Sequence, residues 1–110
     1  MSTEVLVVLV TAPTAEVAAG LARALVEARL AACGNVVPGL RSIYRWEGRV
    51  HDESEALLVL KTTRDRFEAL RDEVLRLHPY DVPEVLALPV EAGAARYLAW
   101  VAGETRGEGP

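Results

Sequence analysis

The sequence predicts one α+β domain, and three observations carry that reading. Strand-like and helix-like hydrophobic periods alternate in the order β-α-β-β-α-β, with a further helical stretch at the end. The two middle strands meet at a tight turn and form a long hairpin. The length of 110 residues suits a single domain. This is the split βαβ, ferredoxin-like order, in which one antiparallel sheet carries two helices on one face.

The first strand is Glu4 to Thr11, "EVLVVLVT", apolar on both parities and rich in valine, as befits a central strand covered on both faces. Pro13 sits at a turn, Thr14 is a good N-cap, and Glu16 falls in the acid-favouring first turn. Val17, Leu21 and Leu25, with Ala18 and Ala22, recur at helical spacing, so a helix runs from about Ala15 to Ala28. Val36, Val37, Ile43, Tyr44 and Trp46 then favour strand. Pro38-Gly39 interrupts that strand and predicts a bulge, and Glu47-Gly48 predicts the hairpin turn. The return strand is polar in "RVHDESE" and apolar in "ALLVLKTT". Phe67, Leu70, Val74 and Leu77 mark a second helix over Arg64 to Leu77, which Pro79 ends. Glu84 to Val90 reads as a fourth strand, and Pro89 places it at or near an edge. Ala92 to Ala102 reads as a last short helix. One domain over 1–103 and a flexible tail over 104–110 are expected.

Net charge is −4 and one cysteine, Cys33, is present. The charge makes nucleic acid a poor partner, because phosphate neutralisation supplies most non-specific affinity. One cysteine excludes an internal disulfide and a multi-cysteine zinc site within one chain. The longest apolar run, Val5 to Val10, falls well short of the ~20 residues of a membrane span, so no membrane role is expected. Glu4 stands where a signal peptide carries basic residues, which makes the cytoplasm the expected compartment.

The hairpin is too long for its own core. Its arms run to roughly twelve to fourteen residues, about 45 Å, whereas the helices predicted here cover about 21 Å. The overrun, Arg41 to Glu55, carries Tyr44 and Trp46 among charges. A bare two-stranded ribbon is marginally stable in water, so a neighbouring copy is expected to shelter it. Glu55 and Lys61 share a strand face but lie about 20 Å apart, so each needs a partner elsewhere.

The stretch "LHPYDVPE", Leu77 to Glu84, holds two prolines, an imidazole, a phenol and two carboxylates. The prolines make it a stiff joint that sets the entry angle of the next strand. Tyr80 suits a subunit seam or cleft. His78 is also a candidate copper or zinc ligand, and Cys33 a candidate soft copper(I) ligand that a trimer would present three times. Each has a plainer reading: His78 as a cation at a helix C-terminus, Cys33 as a small buried hydrophobe. His51, beside Asp52, Glu53 and Glu55, is a weak metal candidate or part of a solvated polar ribbon. Glu84 is a ligand carboxylate or an ion-pair partner.

The segments "LAACGN", "SIYRWEG", "LHPYDVPE" and "YLAW", with Glu55 and Lys61-Thr62 of "ESEALLVLKTT", resemble the CutA family of divalent-cation tolerance proteins. They do so in order and spacing over nearly the whole chain. The resemblance implies a ferredoxin-like subunit, a homotrimer similar to PII-type signalling proteins, and a role in tolerance to copper and other divalent metals, without enzymatic activity. No organic cofactor comes with it. Metal-ligand candidates are Cys33, His78 and Glu84; interface or cleft candidates are Tyr44, Trp46, Glu55, Lys61, Tyr80 and Trp100. Gly34 stands where relatives often carry valine, and is expected to loosen the strand start.

Rival functions lack their residues. A PII-like nucleotide regulator needs a glycine-rich, basic phosphate loop, and "VPGLR" offers one glycine and Arg41. An RNA-binding module needs aromatic platforms where strand one is aliphatic. An acylphosphatase-like enzyme needs an anion-cradling loop that "VTAPTAE" does not supply. A PII-like signalling or scaffold trimer, holding a small ligand or protein partner in an intersubunit cleft, is the alternative to metal binding.

Overall fold

The computed structural model describes residues 4–106. Its elements are β1 (Val5–Ala12), α1 (Ala15–Glu27), β2 (Cys33–Trp46), β3 (Arg49–Thr63), a 3-10 turn (Arg64–Arg66), α2 (Phe67–Leu77), β4 (Leu86–Pro89) and α3 (Ala95–Glu104). The sheet order is β2-β3-β1-β4, and every neighbouring pair is antiparallel. The expected α+β element order and four-stranded antiparallel sheet are therefore present.

Side-chain alternation along β1 assigns the two faces of the sheet. Val8, Val10 and Ala12 are fully buried, as are their neighbours Leu58 and Leu60 on β3. They pack against Ala18, Leu21 and Leu25 of α1 and Leu70 and Val74 of α2 in one core. Burying each of these leucines and valines stabilises the fold by about 1.5–3 kcal/mol before entropy is counted. The helices form for the reasons the sequence offers. Thr14 caps α1, its hydroxyl accepting from the Val17 amide at 3.1 Å. His78, which precedes Pro79, is extended and ends α2.

The other face carries Val7, Leu9, Leu57 and Val59, only half-buried. It lacks a covering helix except at the Val5 end, where Val101 and Leu98 of α3 pack with Val5, Ala32 and Val90. Leu86, Leu88 and Val37 stay largely exposed. The central strand is thus covered on one face and open on most of the other, in place of the cover on both faces that its valines predict.

The hairpin outruns the helices as expected: β2 has 14 residues, within the expected arm length, and β3 has 15, one more, against 13 and 11 for α1 and α2. The molecule measures 48 × 27 × 22 Å in consequence. The bulge falls at Pro38-Gly39, where the register shifts between Val37 and Leu40 and Gly39 takes φ +80°. Glu47 and Gly48 both take positive φ, the turn that matches strand twist in a two-residue hairpin.

The differences from expectation lie at element ends. The second helix opens as a 3-10 turn, so α2 proper begins at Phe67 rather than Arg64. β4 is confined to Leu86–Pro89, because Pro83 and its neighbours hold the chain out of the ladder. α3 runs through Glu104, and Thr105 is buried, donating to the Val101 carbonyl at 2.9 Å. Residues 104 and 105 thus belong to the fold rather than to the expected tail, whose positions 107–110 lie outside the described residues.

Candidate functional site

At the hairpin end of the open face, β2, β3 and the 78–84 joint enclose a groove of about 470 Å³. The hairpin register builds one wall. Tyr44 lies opposite His51 and Ser42 opposite Glu53, so these side chains share a face with Glu55. Tyr44 stacks on His51 with ring centroids 5.1 Å apart and an interplanar angle of 12°. Its hydroxyl donates to Glu53 Oε1 at 2.6 Å. Trp46 stands at the end of this wall, and its carbonyl lies 3.3 Å from His51 Nε2.

The joint builds the second wall, and His78 holds it in place. The Tyr80 amide donates to His78 Nδ1 at 3.1 Å, so the ring proton is on Nε2, which donates to the Thr11 carbonyl at 2.8 Å. One buried imidazole therefore ties the end of α2 to β1 and fixes Tyr80. The Tyr80 hydroxyl then reaches across the groove to Glu55 Oε2 at 2.6 Å. Asp81, Val82 and Glu84 complete the rim.

The phenols respond to these carboxylates. The hydrogen bond to Glu53, with loss of solvent and the nearby charges of Glu53 and Glu55, holds the Tyr44 phenol up at about 12. Burial first, and then the Glu55 hydrogen bond, pushes Tyr80 well above the usual phenol range. Tyr97, on α3, is raised chiefly by its contact with Cys33, whose Sγ lies 3.6 Å from the hydroxyl.

The structure unites some of the sequence candidates and separates others. Tyr44, Trp46, Glu55, Tyr80 and Glu84 all line the groove. Lys61 and Trp100 do not: Lys61 donates to Asn35 on the open face, and Trp100 packs near Tyr97 on α3. The partners that Glu55 and Lys61 required are therefore Tyr80 and Asn35. Cys33 pairs with Lys61 and through it with Val7, four residues along β1 from Thr11, the residue that holds His78. That is roughly 13 Å of strand. His78 has both ring nitrogens engaged with backbone, so in this arrangement it offers no lone pair to a metal. Asp52 points away from His51 by strand alternation and forms a bidentate pair with Arg41. Among the described residues, no group of three His, Cys, Asp or Glu side chains is placed to hold a metal ion. Thr11 and Ser42 do not stand out in the sequence, and Asp81 and Val82 stand out only as members of the proline joint; the sheet register and the turn of the joint bring all four to the groove.

The fold and its site define a small α+β protein with an open apolar sheet face and an acidic, aromatic groove at one end of it. The chain belongs to the CutA1 divalent ion tolerance protein family, whose model matches residues 6–104. It is 54% identical over 99 residues to the divalent-cation tolerance protein CutA of Thermus thermophilus, a match spanning 90% of this chain and 96% of that one. It is 51% identical over 92 residues to the human protein CutA, of which it spans about half (51%) and which covers 84% of this chain. Among solved structures, the CutA1 of Oryza sativa superposes with a TM-score of 0.92 at 44% identity, covering 96% of each chain. The Cut A1 structure from Thermus thermophilus gives 0.86 at 55% identity, covering 88% of this chain and 94% of that one.

Proposed function

We propose that this chain acts in divalent-metal tolerance as a non-enzymatic, ferredoxin-like homotrimer that binds copper or a related divalent cation. Family membership over residues 6–104 is the observation that carries the reading. The open sheet face supports the assembly. Leu86, Leu88, Tyr97 and Trp100 are each 43–55% exposed in one chain, on or beside the half-buried Val7, Leu9 and Val59. A contiguous apolar surface of this kind is normally covered by a partner. The hairpin tip, with Ile43 and Val50 more than 60% exposed, asks for the same shelter.

Because no three-donor group exists among the described residues of one chain, metal capture draws on donors from more than one copy. Cys33 supports this, since its half-buried thiol sits on the open sheet face that the proposed assembly covers. Calorimetric titration with Cu(II) and Cu(I), beside sedimentation of the same sample, tests the proposal. Saturable copper binding by a trimer, lost in Cys33→Ala with the trimer intact, is the expected result. Silent titrations would remove the metal-binding part. The groove favours the second reading, a PII-like trimer holding a small ligand, because it is a formed cavity whereas the metal donors are dispersed.

A further inference from the structure

We propose that the groove between the hairpin and the 78–84 joint binds a small organic cation, a protonated amine or guanidinium carried on an apolar body. The inference deepens the small-ligand reading and rests on it, but not on trimer formation, because one chain supplies both walls. At about 470 Å³ the groove falls in the range of small-molecule sites. Its lining joins three ring systems, Tyr44, Trp46 and Tyr80, with three carboxylates, Glu55, Asp81 and Glu84. Among the described residues, no lysine or arginine lines it. Within one chain an anion would meet charge of its own sign, which disfavours phosphates and carboxylates as the ligand.

The hydroxyls of Tyr44 and Tyr80 are already committed to Glu53 and Glu55. What these residues have left to offer is ring surface, which attracts a cation through its negative face. Glu55 accepts the Tyr80 hydrogen bond on Oε2 and keeps lone pairs for a charge-assisted bond to N–H. Val82, 70% exposed, supplies apolar contact for a hydrocarbon body. A bare metal ion fits this set poorly, since no three donors among the described residues converge on one point. An ammonium or guanidinium on a carbon frame is large enough to span rings and carboxylates that a point charge cannot reach together.

The test is calorimetric titration of the full chain with phenethylammonium and with agmatine, against phenethyl alcohol as the neutral isostere. Saturable binding of the two cations, one per chain, weakened by salt and absent for the alcohol, is expected. The double variant Asp81→Asn/Glu84→Gln should bind about tenfold more weakly while its melting temperature holds, because both side chains are exposed. Equal binding of alcohol and ammonium, unchanged affinity in the double variant, or no saturation by either cation at millimolar concentration would overturn the proposal. Sedimentation of the same samples keeps the two readings apart. A trimer indifferent to both cations ends this inference alone, and a monomer that binds them ends only the assembly.

Discussion

The Tyr80 hydroxyl donates a 2.6 Å hydrogen bond to Glu55, joining residues 25 positions apart. It ties the proline joint to β3 across the groove. Tyr80→Phe keeps the ring and removes the tie. A hydrogen bond to a charged acceptor is worth about 1.5–3 kcal/mol when sheltered, but Glu55 is half-exposed and water replaces part of it. A loss of about 1 kcal/mol in the urea unfolding free energy is expected. A loss of nothing measurable would mean the joint is held by its prolines and His78 alone.

His78 carries more of the joint than Tyr80 does. It is buried and connects Thr11 to Tyr80 through both ring nitrogens. His78→Ala removes the ring and leaves the part-buried Thr11 carbonyl and Tyr80 amide without their partners. Each orphaned buried group costs about 1–3 kcal/mol, and the lost packing adds to this. We expect a fall of about 3 kcal/mol in chemical denaturation. Copper affinity, measured on whatever fraction remains folded, should not depend on this residue.

Much of this architecture is readable in the residues, and the unreadable parts share a cause. Thr14, Pro38-Gly39, Glu47-Gly48 and Pro79 act on their own backbone, so their effects need no tertiary partner. The hairpin length follows from counting strand residues. By contrast, the open face of β1 is not legible, because Val7 and Leu9 are as apolar as Val8 and Val10. Hydrophobicity cannot say whether the cover on a face belongs to the same chain. The groove is half legible. Its residues stand out by type, but the Tyr80–Glu55 bond depends on a register that no local pattern encodes. Metal candidates fail to converge for the same reason: residue type names a donor, and only the fold sets its distance from the next.

Gly34 shows how a local reading errs. Lack of a side chain predicts a loosened start to β2. A Cβ at this position would lie 2.9 Å from Ala22 Cβ and 3.0 Å from Leu60 Cδ2. The glycine therefore lets α1 approach the sheet closely. Gly34→Ala forces α1 outward, and overpacking of this kind costs about 1–3 kcal/mol. Ala22→Gly in the same chain should recover part of the loss, because it removes the nearest clashing atom. Thermal melts of the single and double variants would show it. A Gly34→Ala variant as stable as the parent would refute the close-packing account.

The three tyrosines should resist ionisation together. Tyr44 is raised to about 12, and Tyr80 and Tyr97 are raised as well. A solvated phenol has a pKa of about 10, so it is mostly ionised at about pH 11. Here ultraviolet titration should show little tyrosinate at that pH while the fold persists. The sign for stability follows from linkage. A folded-state pKa above the unfolded value means stabilisation that is complete below about pH 10 and is lost as pH rises toward about 12. Tyr80→Phe and Tyr44→Phe should each remove part of this alkaline sensitivity. A titration curve centred near the ordinary phenol value in the folded protein would contradict the Tyr–Glu hydrogen bonds.

Trp46 tests the hairpin argument most directly. It is 42% exposed in a single chain and stands at the end of the ribbon, outside the core that α1 and α2 form with the sheet. Its ring contributes little to the monomer core, so Trp46→Ala should leave the far-ultraviolet circular dichroism of the chain intact. If a neighbouring copy covers that ring, truncation removes a buried aromatic at the seam, worth about 3–5 kcal/mol when fully enclosed. The expected result is a concentration-dependent loss of sedimentation mass, with a lower melting temperature that rises again with protein concentration. Leu9→Asp, aimed at the open face of β1, should dissociate the assembly more completely, because it places a charge in the covered apolar surface. Retention of full mass by both variants at low concentration would show that the ribbon and the open face do not meet a second copy.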